Sequence, residues 1–374
     1  MSLIILIPTF KRPDTLYWSL KSVISQKFYG NNLSKSIHIL NNDPFTAAKV
    51  DFIVAKLLAE YNNHEFNDIV ISQGNTSLPA IKNIYTFLDK ITENEDIAII
   101  HGDDDIMLPD TLLERYNAAV TSDKIVTIAK AIGTCYFFEN KKGIFLDSVI
   151  HKLIKHNEVN FKNAKFTDLT NYSIPFFSVY NYRISDGFWK IYNQAIAWAD
   201  EQQLPTQVKY PFVPFYIGLS SFLNKKLGCS NSNIVIRGQY LKNNVILPSS
   251  VITEYANTGV IMLTGLSVLN NLSLKDNPDF DNLRSEFRNN SLNFLFQSFF
   301  RRGGLSFAEY KSLIKLSNIK FSYEVFLCLI SLNSLRNLFN NIFFDTRYLK
   351  QKIFGWGRET SNEEFWNLID RLTK

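Results

Sequence analysis

An α/β fold with a mostly parallel central sheet is predicted for residues 1–240, followed by a mainly helical region over residues 250–374. Three observations carry this. Short Ile- and Val-rich runs recur through the first hundred residues, helical periodicity fills the intervals between them, and from about Ser249 onward apolar residues recur at helical spacing.

The runs are Leu3–Ile7, Ser36–Leu40, Asp68–Ser72 and Asp96–Ile100. They are short and nearly continuous in branched residues, as strands covered on both faces are. Between the first two, Leu16, Leu20, Val23 and Ile24 share one helix face, with Asp14 as the expected cap. A second helix is expected over Ala47–Glu60. A third follows Thr76-Ser77 and carries Ile81, Ile84, Leu88 and Ile91. A further strand is expected over Lys124–Ile132 and a last one over Asn233–Arg237. Such an order implies a mostly parallel sheet with helices on both faces.

The chain has 374 residues, 46% of them hydrophobic and 20% charged, which places it among globular proteins rather than disordered ones. Cys135, Cys229 and Cys328 are scattered and odd in number, so a disulfide framework is not expected and a reducing compartment is. The apolar run at the N-terminus stops at Pro8, too short for a signal peptide, and no stretch reaches the length of a membrane span. A cytoplasmic location is expected. The net charge of +5 falls entirely on residues 301–374. So small an excess, with no recognised module, argues against nucleic-acid binding.

In open α/β sheets, ligands bind beyond the carboxyl ends of the strands. The residues placed there are Pro8-Thr9-Phe10-Lys11-Arg12, Asn41-Asn42-Asp43, Gln73-Gly74-Asn75 and His101-Gly102-Asp103-Asp104-Asp105. Three adjacent carboxylates repel one another unless water or a cation neutralises them. Hard oxygen donors suit Mn²⁺ or Mg²⁺, and Mg²⁺ takes only one or two protein carboxylates, the rest coming from phosphate and water. Asp103 and Asp105 are the candidate metal ligands, with Asp104 beside them. The competing reading is an acidic N-terminus for the helix that begins at Pro109-Asp110. Thr9 and the exposed backbone around it suit a base or ribose, and Arg12 or Lys11 suit phosphate, unless this is a plain strand-to-helix loop. The segment from Gly74 to Asn83 opens a helix with small polar residues, which suits an anion or a sugar or simply caps the helix.

In this order and spacing, these elements resemble the GT-A fold of family-two glycosyltransferases. Pro8-Thr9-Phe10-Lys11-Arg12 matches that family's strand-end P-T/V-[YF]-[NK]-R. Asn42 or Asp43 stands where the family has an acidic residue near the base or ribose. Gly74-Asn75 through Ala80-Ile81-Lys82-Asn83 is a degraded N-x-G-x-x-x-A-R-N, with Lys82 near the Arg position. Asp103-Asp104-Asp105 with Pro109 matches D-x-D followed by proline. The resemblance covers about residues 1–135 and extends weakly to Arg237. It implies a nucleotide-diphosphate-sugar donor, UDP favoured, held by Pro8, Thr9, Phe10, Arg12, Asn42, Asp43, Asn75, Lys82, Asp103 and Asp104. It implies Mn²⁺ or Mg²⁺ on the acidic run and an inverting transfer to a saccharide acceptor; a lipid-linked acceptor, as in surface polysaccharide synthesis, would suit the basic C-terminal stretch.

An inverting transfer needs a base for the acceptor hydroxyl. Where the family has an E-D pair, this sequence reads Val213-Pro214-Phe215-Tyr216. The nearest carboxylates are Asp186, Asp200 and Glu201; Asp200-Glu201 is the chosen substitute, against the reading that the pair is the solvated end of an amphipathic helix. Leu335, Leu338, Phe339, Ile342 and Phe343, followed by Arg347, Lys350 and Lys352, read either as a basic amphipathic helix lying on the inner face of a membrane or as core. Two other functions use the same fold: a non-catalytic nucleotide-sugar-binding or scaffold protein, and a nucleotidyltransferase that makes nucleotide-sugars. The second usually has a Gly-rich basic loop after the first strand, which Pro8-Thr9-Phe10 is not.

Overall fold

A computed structural model describes residues 1–29, 32–75, 77–138, 144–147, 177–242, 245–246, 258–272, 278–293, 305–319, 357–360 and 367. The first half follows the predicted alternation: β1 (Leu3–Thr9), α1 (Pro13–Ile24), β2 (Lys35–Asn41), α2 (Ala47–Glu60), β3 (Asp68–Gln73), α3 (Ala80–Ile91) and β4 (Ile97–Ile100). The short β5 (Ile106–Met107) and α4 (Thr111–Val120) come next, then the long β6 (Val126–Phe138), β7 (Ile144–Asp147) and β8 (Tyr180–Arg183). The chain continues through α5 (Asp186–Glu201), α6 (Thr206–Lys209), α7 (Val213–Leu223), β9 (Leu227–Lys242) and β10 (Val245–Ile246). Helices α8 (Thr258–Asn271), α9 (Pro278–Asn293) and α10 (Phe307–Leu316) follow, and β11 (Gly357–Thr360) ends the described elements.

The main path of the sheet runs β10-β9-β6-β8-β4-β1-β2-β3. Strands β3, β2, β1 and β4 are mutually parallel. Strand β8 lies antiparallel between β4 and β6, and β9 runs parallel to β6. The chain winds outward from β1 through β2 to β3, then returns to lay β4 on the other side of β1. That reversal between β1 and β4 is where a doubly wound sheet opens a crevice at its carboxyl edge.

Period-two alternation puts the two faces of each strand into different cores. Leu3, Ile5, Ile7, Ile37, Ile39, Ile97 and Ile99 pack with Leu16 and Leu20 of α1, Val50, Val54 and Leu57 of α2, and Leu112 of α4. Leu6, Leu40, Ala98 and Ile100 face Ile84 and Leu88 of α3, Phe188 and Trp198 of α5, and Phe215 of α7. The C-terminal helices join the second core through Leu263, Leu266, Phe287 and Leu313. Phe215 and Phe287 lie 5.8 Å apart between ring centres, and Ser317 Oγ donates to the Leu263 carbonyl at 2.8 Å.

Two expectations are corrected. Asp14 does not cap α1: Pro13 is the first helical residue and has no N–H to lose, so the cap position falls to Arg12. The Arg12 carbonyl accepts from the Leu16 N–H at 3.3 Å and from Thr15 Oγ1 at 3.0 Å, while Asp14 pairs with Lys49 at 2.9 Å. The expected strands at Lys124–Ile132 and Asn233–Arg237 are parts of the longer β6 and β9, which pair with each other across register shifts. The region after Ser249 is mainly helical among the described residues, as expected, with one short addition: Gly357–Thr360 pairs antiparallel with β7. No helix among the described residues is long and apolar enough to cross a membrane. The basic stretch from Leu335 to Lys352 lies outside the described residues.

Candidate functional site

At the crevice between β1 and β4, three loops meet. Thr9 is the last residue of β1, and its hydroxyl donates to Asp103 Oδ2 at 2.8 Å. Arg12 reaches across to the acidic run, with Nη2 on Asp103 Oδ1 and Nη1 on Asp104 Oδ2, both at 2.5 Å. The turn that allows this passes through Lys11, whose φ of 58° lies in the left-handed region. Asp103 is buried, and the loss of water pushes its carboxyl up to about 6, against the opposing pull of Arg12. Arg12 is held charged: burial works against its proton, but Asp103 and Asp104 outweigh that and raise it above the usual arginine value.

The third carboxylate turns the other way. Asp105 Oδ2 accepts from the buried Ser178 hydroxyl at 2.5 Å, and the same Ser178 oxygen accepts from the Gly102 N–H at 2.7 Å. A Cβ on Gly102 would collide with the Asp105 carboxylate, so glycine is needed there. Ser178 is held by Arg115, whose Nη2 donates to the Ser178 carbonyl at 2.9 Å and whose Nε donates to Asn181 Oδ1 at 2.7 Å. Arg115 is fully buried, and burial lowers it to about 9. His101 is buried beside it, and burial together with the Arg115 charge lowers it to about 3. The ring is therefore neutral and donates from Nε2 to the Asp105 carbonyl at 3.2 Å. The acidic run is thus neither a simple helix cap nor an open cage. Two carboxylates face Arg12 and one faces Ser178, and among the described residues no three His, Cys, Asp or Glu side chains converge as a metal-ligand set. The oxygens are nonetheless of the hard class that Mn²⁺ and Mg²⁺ take.

The neighbouring loops extend the site along the edge. Asn42 donates its N–H to the Thr9 carbonyl at 2.9 Å, and its side-chain oxygen accepts from Asn83 Nδ2. Asn83 Oδ1 in turn accepts from the Asn75 N–H at 3.1 Å. Gly74 lies against this pair so closely that any Cβ would strike it. Asp43 is buried and caps the short turn Pro44–Thr46 by accepting from the Phe45 N–H at 3.2 Å. Two aromatics stand open at the same edge, Phe10 half exposed and Phe45 95% exposed.

A second charged group lies farther along. Lys82 Nζ pairs with Asp200 Oδ2 at 2.8 Å, and the Tyr210 hydroxyl donates to Asp200 Oδ1. The topology explains the meeting. Strand β8 is antiparallel to β4, with Arg183 opposite Ile97, so α5 starts at the amino edge of the parallel strands. Its 16 residues rise about 24 Å and carry Asp200 to the carboxyl edge. Burial pushes Asp200 up, but the bonds from Lys82 and Tyr210 hold it below the ordinary carboxylate value. Glu201, the last residue of α5, is exposed. Val213-Pro214-Phe215-Tyr216 is the buried start of α7, an apolar helix with no room for a carboxylate pair.

The crevice therefore gathers Thr9, Arg12, Asp103 and Asp104 in one group, Asn42 and Asn75 in a second, and Lys82 with Asp200 in a third. Ser178, Arg115 and Tyr210 were not singled out from the sequence. Each is an ordinary residue without a motif: Arg115 comes from α4, Ser178 from the turn just before β8, and Tyr210 from the turn before α7.

No protein-family model matches the chain, and no curated protein sequence does. Among solved structures, the chain is similar to residues 1–349 of S. aureus TarS, at 15% identity and a TM-score of 0.46, covering 88% of this chain and 81% of that one. A crystal structure of the same TarS segment in complex with UDP-GlcNAc superposes with a TM-score of 0.43 at 13% identity, covering 88% and 82%. The mannosyltransferase PcManGT from Pyrobaculum calidifontis, in complex with GDP-Man and Mn²⁺, gives a TM-score of 0.39 at 8% identity, covering 92% and 88%.

Proposed function

We propose that the protein is an inverting glycosyltransferase that takes its sugar from a nucleotide-diphosphate donor, UDP-linked by preference. The observation that carries this reading is the Thr9–Asp103–Arg12–Asp104 group at the switch point between β1 and β4, where a parallel sheet receives its ligand. In this reading Pro8, Thr9, Phe10, Asn42, Asp43 and Asn75 shape the nucleoside end of the cleft. Arg12, Lys82 and the first turn of α3 face the diphosphate; that helix has no side-chain cap and leaves backbone N–H groups for an anion.

Asp103 and Asp105 are our assignment for Mn²⁺ or Mg²⁺, with Asp104 next to them. When bound, the metal would offset the charge that grows on the leaving diphosphate. Arg12 neutralises Asp103 and Asp104, so a metal held here would share their oxygens with that guanidinium. Asp200 is our assignment for the acceptor's base, with Glu201 beside it. The acceptor is a saccharide or a lipid-linked saccharide, the latter presented at the inner face of a membrane to the basic C-terminal stretch. Residues 1–240 form the transfer domain and residues 250–374 the helical region that supports it.

Calorimetric titration with UDP, GDP, CDP and CMP, each with and without Mn²⁺, tests this on the wild type and Asp103→Asn. Metal-dependent binding of one diphosphate, weakened in a variant that remains folded by circular dichroism, is the expected result. Absence of nucleotide binding under every metal condition would show that the acidic run serves only the fold.

A further inference from the structure

We propose that Lys82 is shared between Asp200 and the donor's diphosphate, so that donor binding unmasks the base for the acceptor, and that Tyr210 is the positioning residue that keeps Asp200 in place. This rests on the glycosyltransferase reading and concerns the regulation of that same site.

Both oxygens of the Asp200 carboxylate are already engaged, Oδ2 by Lys82 at 2.8 Å and Oδ1 by the Tyr210 hydroxyl. Each oxygen keeps a second lone pair, but the ammonium on Oδ2 makes that oxygen a weaker base toward an acceptor hydroxyl. Of the two partners, Lys82 is the one free to leave. Its side chain is 27% exposed, Asp200 is 45% exposed, and the pair joins two elements far apart in the chain, α3 and α5. Lysine is a flexible point charge, and an exposed pair of this kind is held weakly. Tyr210 is anchored differently: its ring is buried next to Pro211 and Phe212, and the Lys82 ammonium lies 5.5 Å from the ring centre. Lys82 also sits in the first turn of α3, beside the uncapped N–H groups that suit an anion.

A diphosphate at that helix start carries more negative charge than one carboxylate and draws Lys82 over. Asp200 Oδ2 is then free while Tyr210 still fixes Oδ1. In the transfer step the acceptor O–H bond breaks and its proton goes to Asp200 Oδ2. The acceptor oxygen's electron pair forms the bond to the anomeric carbon, and the bond from that carbon to the phosphate oxygen breaks with its pair leaving on the diphosphate.

The proposal makes Asp200 a competitor of the donor for Lys82, and competition is reciprocal. Calorimetry with UDP and GDP in the presence of Mn²⁺ on the wild type, Asp200→Asn, Lys82→Met and the double variant reads it without turnover. Asp200→Asn binds the preferred diphosphate about two- to fivefold more tightly than the wild type. Lys82→Met binds it about tenfold more weakly, and the gain from Asp200→Asn disappears in the Lys82→Met background. Tyr210→Phe leaves diphosphate affinity unchanged and lowers kcat with donor and a saccharide acceptor. Unchanged or weakened binding by Asp200→Asn, or a gain that persists without Lys82, overturns the sharing while leaving the glycosyltransferase reading intact. If no form binds any nucleotide, both fall together.

Discussion

Two charged groups share the carboxyl edge of the sheet, and they are built on opposite terms. Arg12, Asp103 and Asp104 sit in the crevice, with Asp103 almost wholly buried and Thr9 completing its bonds. Lys82, Asp200 and Tyr210 lie at the open rim, where water reaches both charges of the ion pair. In the crevice the carboxylates cannot lose their cation without leaving buried charge behind, so the arrangement is part of the framework. At the rim the same kind of bond is cheap to exchange, which is what a group that must alternate between partners requires. The difference teaches that burial, together with the stiffness of the cation's side chain, separates a charge that supports the site from one that can act in it.

Substitutions can break or sharpen that contrast. The largest effect is expected for Arg12→Ala, which leaves Asp103 and Asp104 uncompensated and lowers stability by about 3 kcal/mol in denaturant unfolding. Asp103 already titrates above its unfolded value, at about 6, and losing Arg12 raises it further. A raised folded-state value favours the protonated fold, so stability present at low pH is lost as pH rises. The Arg12→Ala deficit should therefore be smaller near about pH 5 than near about pH 8. An equal deficit at both would mean that the carboxylates are solvated in the variant.

Ser178→Ala comes next. It removes the hydroxyl that serves both Asp105 and the Gly102 N–H, at a cost of about 2 kcal/mol. Asn83→Ala, which unties the loops after β2 and β3, should cost about 1 kcal/mol by the same measurement. The smallest change in stability, within about 0.5 kcal/mol, is expected for Asp200→Asn. In an acceptor assay the same variant should nonetheless lower kcat about a hundredfold or more. A large stability loss for Asp200→Asn would put the rim group into the framework and erase the distinction.

The parallel half of the fold was legible because its physics is local. Branched runs such as Leu3–Ile7 have no other stable home than a doubly covered strand, and Ala47–Glu60 has the predicted helix bounds. The acidic run could likewise be placed at a strand end from its position after Ile99-Ile100. Strand β8 was not legible: Tyr180–Arg183 is four residues of aromatic and polar character, and it is a strand only because β4 and β6 flank it.

The site divides in the same way. Sequence alone determined which residues stand at the carboxyl edge, because the order of strands and helices dictates where each connection emerges. It placed Thr9, Arg12, Asn42, Asn75, Lys82 and Asp103 to Asp105 there, and it marked Asp200 as a carboxylate at a helix end. Only the tertiary structure decided how they are paired: Arg12 with Asp103 and Asp104, Asp105 with Ser178, and Lys82 with Asp200, joined across 118 positions of sequence. The reason is physical. Secondary structure follows from neighbours a few residues apart, whereas the partner of a charge is whichever group the packed sheet and helices bring within about 3 Å of it.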